Sequence, residues 1–162
     1  MARRLGGGRA VLPVAVMLAV GLPLYAQFAP GRIDHHNVQI ALRLLAAAGA
    51  AQGGVAGAVV AGAAVGLGLA VGLESLLFCA VIAGAIALRF VLTLGARRQA
   101  IAFGLSLAAT SVPIFLIQTP PSRWGLAVCD AMGVNLVLAL ALGGLGLAAA
   151  AVRGLATPWV RG

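Results

Sequence analysis

The sequence predicts an all-α protein, a polytopic transmembrane helical bundle of about six spans. Three observations carry that prediction. Apolar residues make up 62% of the chain and charged residues only 9%, whereas an ordinary soluble domain is about half apolar and about a quarter charged. A soluble fold of 162 residues buries only about 70% of its chain area, too little to hide this much apolar surface. Mean hydropathy is +1.10, and the uncharged stretches Ala10–Gly31, Leu44–Leu73, Ser75–Leu88, Gln99–Ser122 and Ala131–Val152 are on the scale of the about 20 residues that cross a bilayer. Together these exclude an ordinary soluble enzyme, a disordered tail and a secreted disulfide scaffold.

The spans fall near 10–29, 37–52, 54–72, 74–95, 99–118 and 125–152, so residues 1–152 form one transmembrane domain and 153–162 a short cytoplasmic tail. The first follows Arg3, Arg4 and Arg9, and Leu24-Tyr25-Ala26 resembles a cleavage site, the layout of a signal peptide. A retained helix is preferred because the apolar run continues through Phe28 and Ala29 and five more apolar segments follow. The second is the shortest, and Gln39 and Arg43 sit one turn apart on one face, which leaves open an amphipathic helix lying in the interface. Residues 37–72 are too long for one span at about 1.5 Å per residue.

Arginine placement favours six spans. All 11 basic residues are Arg. With the N-terminus inside, Arg3, Arg4, Arg9, Arg97, Arg98, Arg153 and Arg161 are cytoplasmic, only Arg32 and Arg123 are external, and Arg43 and Arg89 lie within spans. Five spans would make the distribution nearly even, against the positive-inside rule. The net charge of +8 does not indicate nucleic acid, because the Arg are dispersed between apolar runs and not clustered on one face.

Within the spans, Gly49, Gly53 and Gly57 recur every four residues, as do Ala58, Gly62, Gly66 and Ala70; small residues at this spacing let helix backbones approach in lipid. Pro13, Pro23 and Pro113 are expected to kink their helices. Cys79 and Cys129 lie in apolar runs and read as buried free thiols.

The six-span topology gathers the acids and both imidazoles at the external side. Asp34, His35 and His36 occupy the first external loop, Glu74 the second external turn, and Asp130 lies about a turn into the last helix from its outer end. Ionisable groups in or beside spans are costly and mark sites or pathways. In Gly31-Arg32-Ile33-Asp34-His35-His36-Asn37, a carboxylate beside imidazoles suits a divalent metal, oxygen favouring Mg or Mn and imidazole Zn or Mn. Asp34, His35 and His36 are the candidate ligands, Arg32 and Arg123 candidate phosphate partners, and Asn37 a candidate cap for the next helix. The bland alternative is a polar helix-capping turn. Capping is the simplest role for Glu74, and Asp130 is as well suited to hydrogen-bonding between helices as to function.

Phe28-Ala29-Pro30-Gly31-Arg32-Ile33-Asp34-His35-His36-Asn37-Val38-Gln39 followed by an apolar helix resembles an external loop of GT-C glycosyltransferases, nearest to bacterial membrane proteins related to the catalytic subunit of oligosaccharyltransferase. The run Gly66–Leu76, and Pro120-Pro121-Ser122-Arg123-Trp124 followed by Cys129-Asp130-Ala131, resemble later parts of the same proteins. The resemblance implies a polyprenyl-phosphate- or diphosphate-linked sugar donor used at the external face of a bacterial inner membrane, with Asp34 and His36 as catalytic residues, Arg32 or Arg123 at the donor phosphate, and a divalent metal, Mg or Mn. A complete enzyme of this type has about twice as many spans, an earlier acidic loop and, in the oligosaccharyltransferase branch, a soluble C-terminal domain. The resemblance therefore implies a fragment, or a truncated or inactive form. The alternatives are a non-catalytic accessory subunit that packs against other membrane helices through its Gly-rich faces and, third, a small transporter using Glu74 and Asp130.

Overall fold

The structure is a computed structural model that describes residues 7–21, 28, 34–128 and 131–154. Among these the chain is all-helical, with six α-helices and no strand. They are α1 (Val11–Val20), α2 (His35–Gln52), α3 (Gly54–Val71), α4 (Leu76–Leu92), α5 (Arg97–Gln118) and α6 (Val134–Val152). The segments Gly54–Val71, Leu73–Leu92, Arg97–Gln118 and Val134–Val152 are each long and apolar enough to cross a membrane. Their outward faces carry large apolar side chains, with Leu77 79% and Ile117 82% exposed. A surface of that kind calls for lipid as its solvent.

Helix α3 is the hub, packed along both α2 and α5, while α5 packs along α6. Gly and Ala make up 11 of its 18 residues, and the contacts show why. A Cβ on Gly62 would collide with Ser106 Oγ and stand 2.6 Å from the Phe103 carbonyl oxygen, and one on Gly66 would meet Thr110 at 3.1 Å. Gly104 and Gly144 lie with each backbone carbonyl against the other's Cα. Without a hydrophobic force between helices in lipid, such backbone approach supplies the packing. Ser106 and Ser111 donate to carbonyls of their own helix, Phe103 and Leu107, so neither hydroxyl is left bare in an apolar setting.

The second segment does not lie across the bundle end. Helix α2 runs antiparallel to α3 along its whole length: Gly49 faces Gly57 and Ala61, Leu42 faces Gly68, and Gln39 faces Gly72. The hairpin closes through Gly53 (φ 70°) and Gly54 (φ 71°), left-handed conformations that glycine adopts at least cost. The last helix begins at Val134, not at residue 125. The chain ahead of it is held differently: Trp124 Nε1 donates to the Thr119 carbonyl at 2.8 Å, and Asn135 Nδ2 reaches the Val128 carbonyl at 3.4 Å. Helix α5 continues through Pro113. Cys79 is a buried free thiol; Cys129 and Pro23 lie outside the described residues. In α1 every described side chain is exposed or half-exposed.

The alternation of α2 to α6 gives the bundle two distinct ends. One holds Asp34–His36, the turn Leu73–Ser75 and the segment after Gln118; the other holds Gly53, the turn Leu94–Ala96 and the end of α6, where Arg97 donates to the Val152 carbonyl.

Candidate functional site: a carboxylate–imidazole cluster

Helix α2 begins one residue after Asp34, whose side chain accepts from the His36 backbone N–H at 3.2 Å. Asp34, and not Asn37, is therefore the N-cap, a role carboxylates fill well because they satisfy an orphan amide at the positive end of the helix. The cap fixes the two imidazoles that follow. Asp34 Oδ1 lies 2.7 Å from His36 Nδ1 and 3.2 Å from His35 Nδ1. The rings stand 4.1 Å apart between centroids, tilted by 35°. The Asp34 carboxyl is held below the usual carboxylate range, first by its side-chain hydrogen bond with His36, then by the His36 backbone N–H.

Glu74 closes the cluster from the opposite direction. Sited in the turn between α3 and α4, it places Oε1 3.7 Å from His35 Nε2 and Oε2 3.8 Å from His36 Nε2. It stands in the first turn of the Leu73–Ser75 helix, where a carboxylate is favoured, but makes no side-chain cap bond there. The two imidazoles thus lie between two carboxylates. Their side chains are about half exposed, and Asp34 is 23% exposed.

A carboxylate only accepts, so Asp34 favours the tautomers with hydrogen on Nδ1. The two Nε2 lone pairs then face the Glu74 oxygens. At 3.7 and 3.8 Å these pairs are too long for hydrogen bonds, and lone pair against carboxylate is repulsive unless a proton on the ring or a metal ion lies between. Ligands on a metal with bonds of about 2.1 Å are about 3.0 Å apart in octahedral and about 3.4 Å in tetrahedral array, so Glu74 would draw in by a few tenths of an ångström or more to ligate. The ligating atoms of Asp34, His35 and His36 lie within 4.8 Å of one another, and a metal on that side would open the 2.7 Å hydrogen bond between Asp34 and His36.

Behind Glu74 lies a polar chain within the bundle. Gln39 is fully buried. Its Oε1 accepts from Arg43 Nη2 at 2.9 Å, and Arg43 Nε donates to Ser75 Oγ at 2.8 Å. With Oε1 taken by Arg43, the amide turns its Nε2 toward Gly72 and Glu74 Oε2. That Nε2 lies short of full hydrogen-bond geometry, yet its approach is the strongest favourable influence on the Glu74 carboxylate. A Cβ at Gly72 would collide with that nitrogen, so glycine there makes room for the amide. Gln39 and Arg43 were visible in the sequence as polar residues one turn apart in an apolar segment; Ser75 gave no signal of its own.

Arg123 is not brought into this cluster. It sits exposed on the turn Pro121–Arg123 at the same end, lining a separate cavity of about 470 Å³ with Gln118, Thr119 and Val128. Arg32 and Asp130 lie outside the described residues. Comparison with known protein families, with curated proteins and with solved structures finds no match to this chain.

Proposed function

We propose that this is an integral membrane protein whose working centre is a divalent-metal site formed by His35, His36 and Glu74 and oriented by Asp34, and that the metal receives the phosphate of a polyprenyl-linked sugar. The observation that carries the reading is the return of Glu74, far along the chain, to face the Nε2 atom of both imidazoles on the side away from Asp34. Hydrogen bonding of the far ring nitrogen to a carboxylate is the usual support for metal-ligating His. Two imidazoles with a carboxylate suit Mn²⁺ better than Mg²⁺, which prefers oxygen. A metal at this point would stabilise charge on a phosphate leaving group. The donor class comes from the resemblance of the Asp34 loop to GT-C glycosyltransferases, and Asp34 and His36 are the residues that resemblance picks out.

Arginine distribution supports the orientation. Arg89, Arg97, Arg98 and Arg153 belong to the end opposite the cluster, and Arg123 and Arg43, the latter bonded to Ser75, to the cluster end. By the positive-inside rule the cluster faces outward, in a bacterial cell away from the cytoplasm, where lipid-linked sugars of this kind are used. The test is retention of a radiolabelled polyprenyl-phosphate-linked sugar by the purified chain in nanodiscs. Retention that depends on Mn²⁺ and is lost in His35→Ala/His36→Ala is expected. Retention indifferent to both the metal and the double substitution refutes the proposal.

A second reading, a non-catalytic accessory subunit, is favoured by one observation. Gly84, Gly143 and Gly146 have open space where a Cβ would lie, and a groove of about 320 Å³ between α4 and α6 is lined by Ala83, Gly84, Gly143 and Leu147. Such a surface suits a further membrane helix. Co-purification of a stoichiometric membrane partner lost on Gly84→Leu supports it; a monodisperse single chain that transfers sugar counts against it.

A further inference from the structure

The end of the bundle opposite the cluster carries a second polar feature. A cavity of about 300 Å³ opens where the α2–α3 hairpin turns, between Ala50, Gly53 and Gly54 on one side and Ile86, Arg89 and Gln99 on the other. Two donors converge over the turn. From the position of a Cβ on Gly53, Arg89 Nη1 and Nη2 lie at 3.5 and 3.8 Å and Gln99 Nε2 at 3.8 Å. The Arg89 side chain makes no ion pair or hydrogen bond with any described residue. Arg97, Arg98 and Arg153 are at the same end, and the two described acids, Asp34 and Glu74, are at the other. Arg89 is exposed, as a snorkelling side chain is, and its fork lies at the mouth of a cavity otherwise walled by Ala, Gly and Ile.

We propose that this cavity binds the phosphate headgroup of an anionic phospholipid. Arg89 offers the phosphodiester a planar two-donor fork, Gln99 adds an amide donor, and the apolar wall takes the glycerol and the first acyl carbons. Basic pockets between membrane helices recognise acidic headgroups in this manner. The apolar wall selects a lipid over a free anion, and the absence of a described acid nearby makes the charge balance depend on a ligand. The inference is independent of the cluster at the far end.

The experiment is native mass spectrometry of the full chain, released from detergent micelles titrated with phosphatidylglycerol, with phosphatidylcholine or inorganic phosphate as competitor. The chain is expected to retain phosphatidylglycerol in preference to phosphatidylcholine. Arg89→Gln weakens that retention about tenfold or more, as loss of a charge-assisted fork does, while Arg98→Gln, exposed at the same end and outside the cavity, changes it less than twofold. Gln99→Leu reads the same site should Arg89→Gln fail to fold, with a smaller weakening expected. Unchanged retention in Arg89→Gln, or in Gln99→Leu where that variant stands in, overturns the proposal. So does equal loss in Arg98→Gln, which would mean diffuse charge attraction, or full displacement by inorganic phosphate, which would mean a simple anion site.

Discussion

Replacing Gly62 by Ala tests the packing that sets both ends of the bundle. The added Cβ would stand 2.6 Å from the Phe103 carbonyl oxygen and 3.0 Å from the Leu107 amide nitrogen, both backbone atoms of α5. Ordinary contact begins near 3.4 Å, so α3 and α5 must part by about 0.8 Å at their closest point, or Ser106 and the local backbone must shift. Overpacking of this kind costs about 1–3 kcal/mol, offset by at most about 1 kcal/mol from the better helix propensity of Ala over Gly. Gly84→Ala is the matched control, because nothing lies within 4 Å of that Cβ position; it keeps the propensity gain and meets no clash. Equilibrium unfolding in mixed micelles, followed by circular dichroism, should place Gly62→Ala about 1–3 kcal/mol below Gly84→Ala. Equal stability of the two variants would show that α3 and α5 do not approach as described.

Arg43→Leu should lower Mn²⁺ affinity about tenfold with helix content unchanged, because Gln39 loses the bond that aims its amide at Glu74 and outer-shell losses of this type cost about 10–100-fold; isothermal titration calorimetry reads it. Asp34 in the folded chain titrates below its ordinary value of about 3.9, so its stabilisation of the start of α2 is present above that value and fades as pH falls through the lower folded one. Amide-exchange protection at His36 should therefore decline below about pH 4 in the wild type, whereas Asp34→Asn, which still caps but carries no charge, should show no such decline. In a Cys-free background, His35→Cys and Arg98→Cys should label from opposite sides of the membrane; labelling from the same side would contradict the two-ended bundle.

The helices were legible because lipid demands long apolar runs with internally satisfied backbones, and α3 to α5 follow those runs closely. The antiparallel lie of α2 was harder. Arg43 and Gln39 depress its hydropathy, so composition alone allowed an interfacial helix, and only their bonds to Ser75 and each other, within the bundle, explain how such a segment stands beside α3. The start of α6 lies later than the sequence predicts because the chain after Trp124 is apolar enough to extend a span, while Trp124 bonds back to Thr119 and Asn135 to Val128 outside any helical ladder. At the site, Asp34, His35 and His36 were legible as neighbours in sequence. That Glu74 meets their far nitrogens depends on the lengths of α2 and α3 matching, 18 residues each, which returns the Leu73–Ser75 turn to the level of the α2 N-terminus. The capping role fell to Asp34 and not Asn37 because α2 starts at His35, with the carboxylate one residue ahead of it.

Electron spin-echo modulation of the Mn²⁺-loaded, purified chain addresses the metal centre most directly, because it counts nitrogens bound to the ion. Two imidazole nitrogens are expected, falling to one in either His35→Ala or His36→Ala, with affinity but not nitrogen count reduced in Asp34→Asn. A Mn²⁺ signal without nitrogen modulation, or two nitrogens that persist after both histidines are replaced, would contradict a centre built on His35, His36 and Glu74.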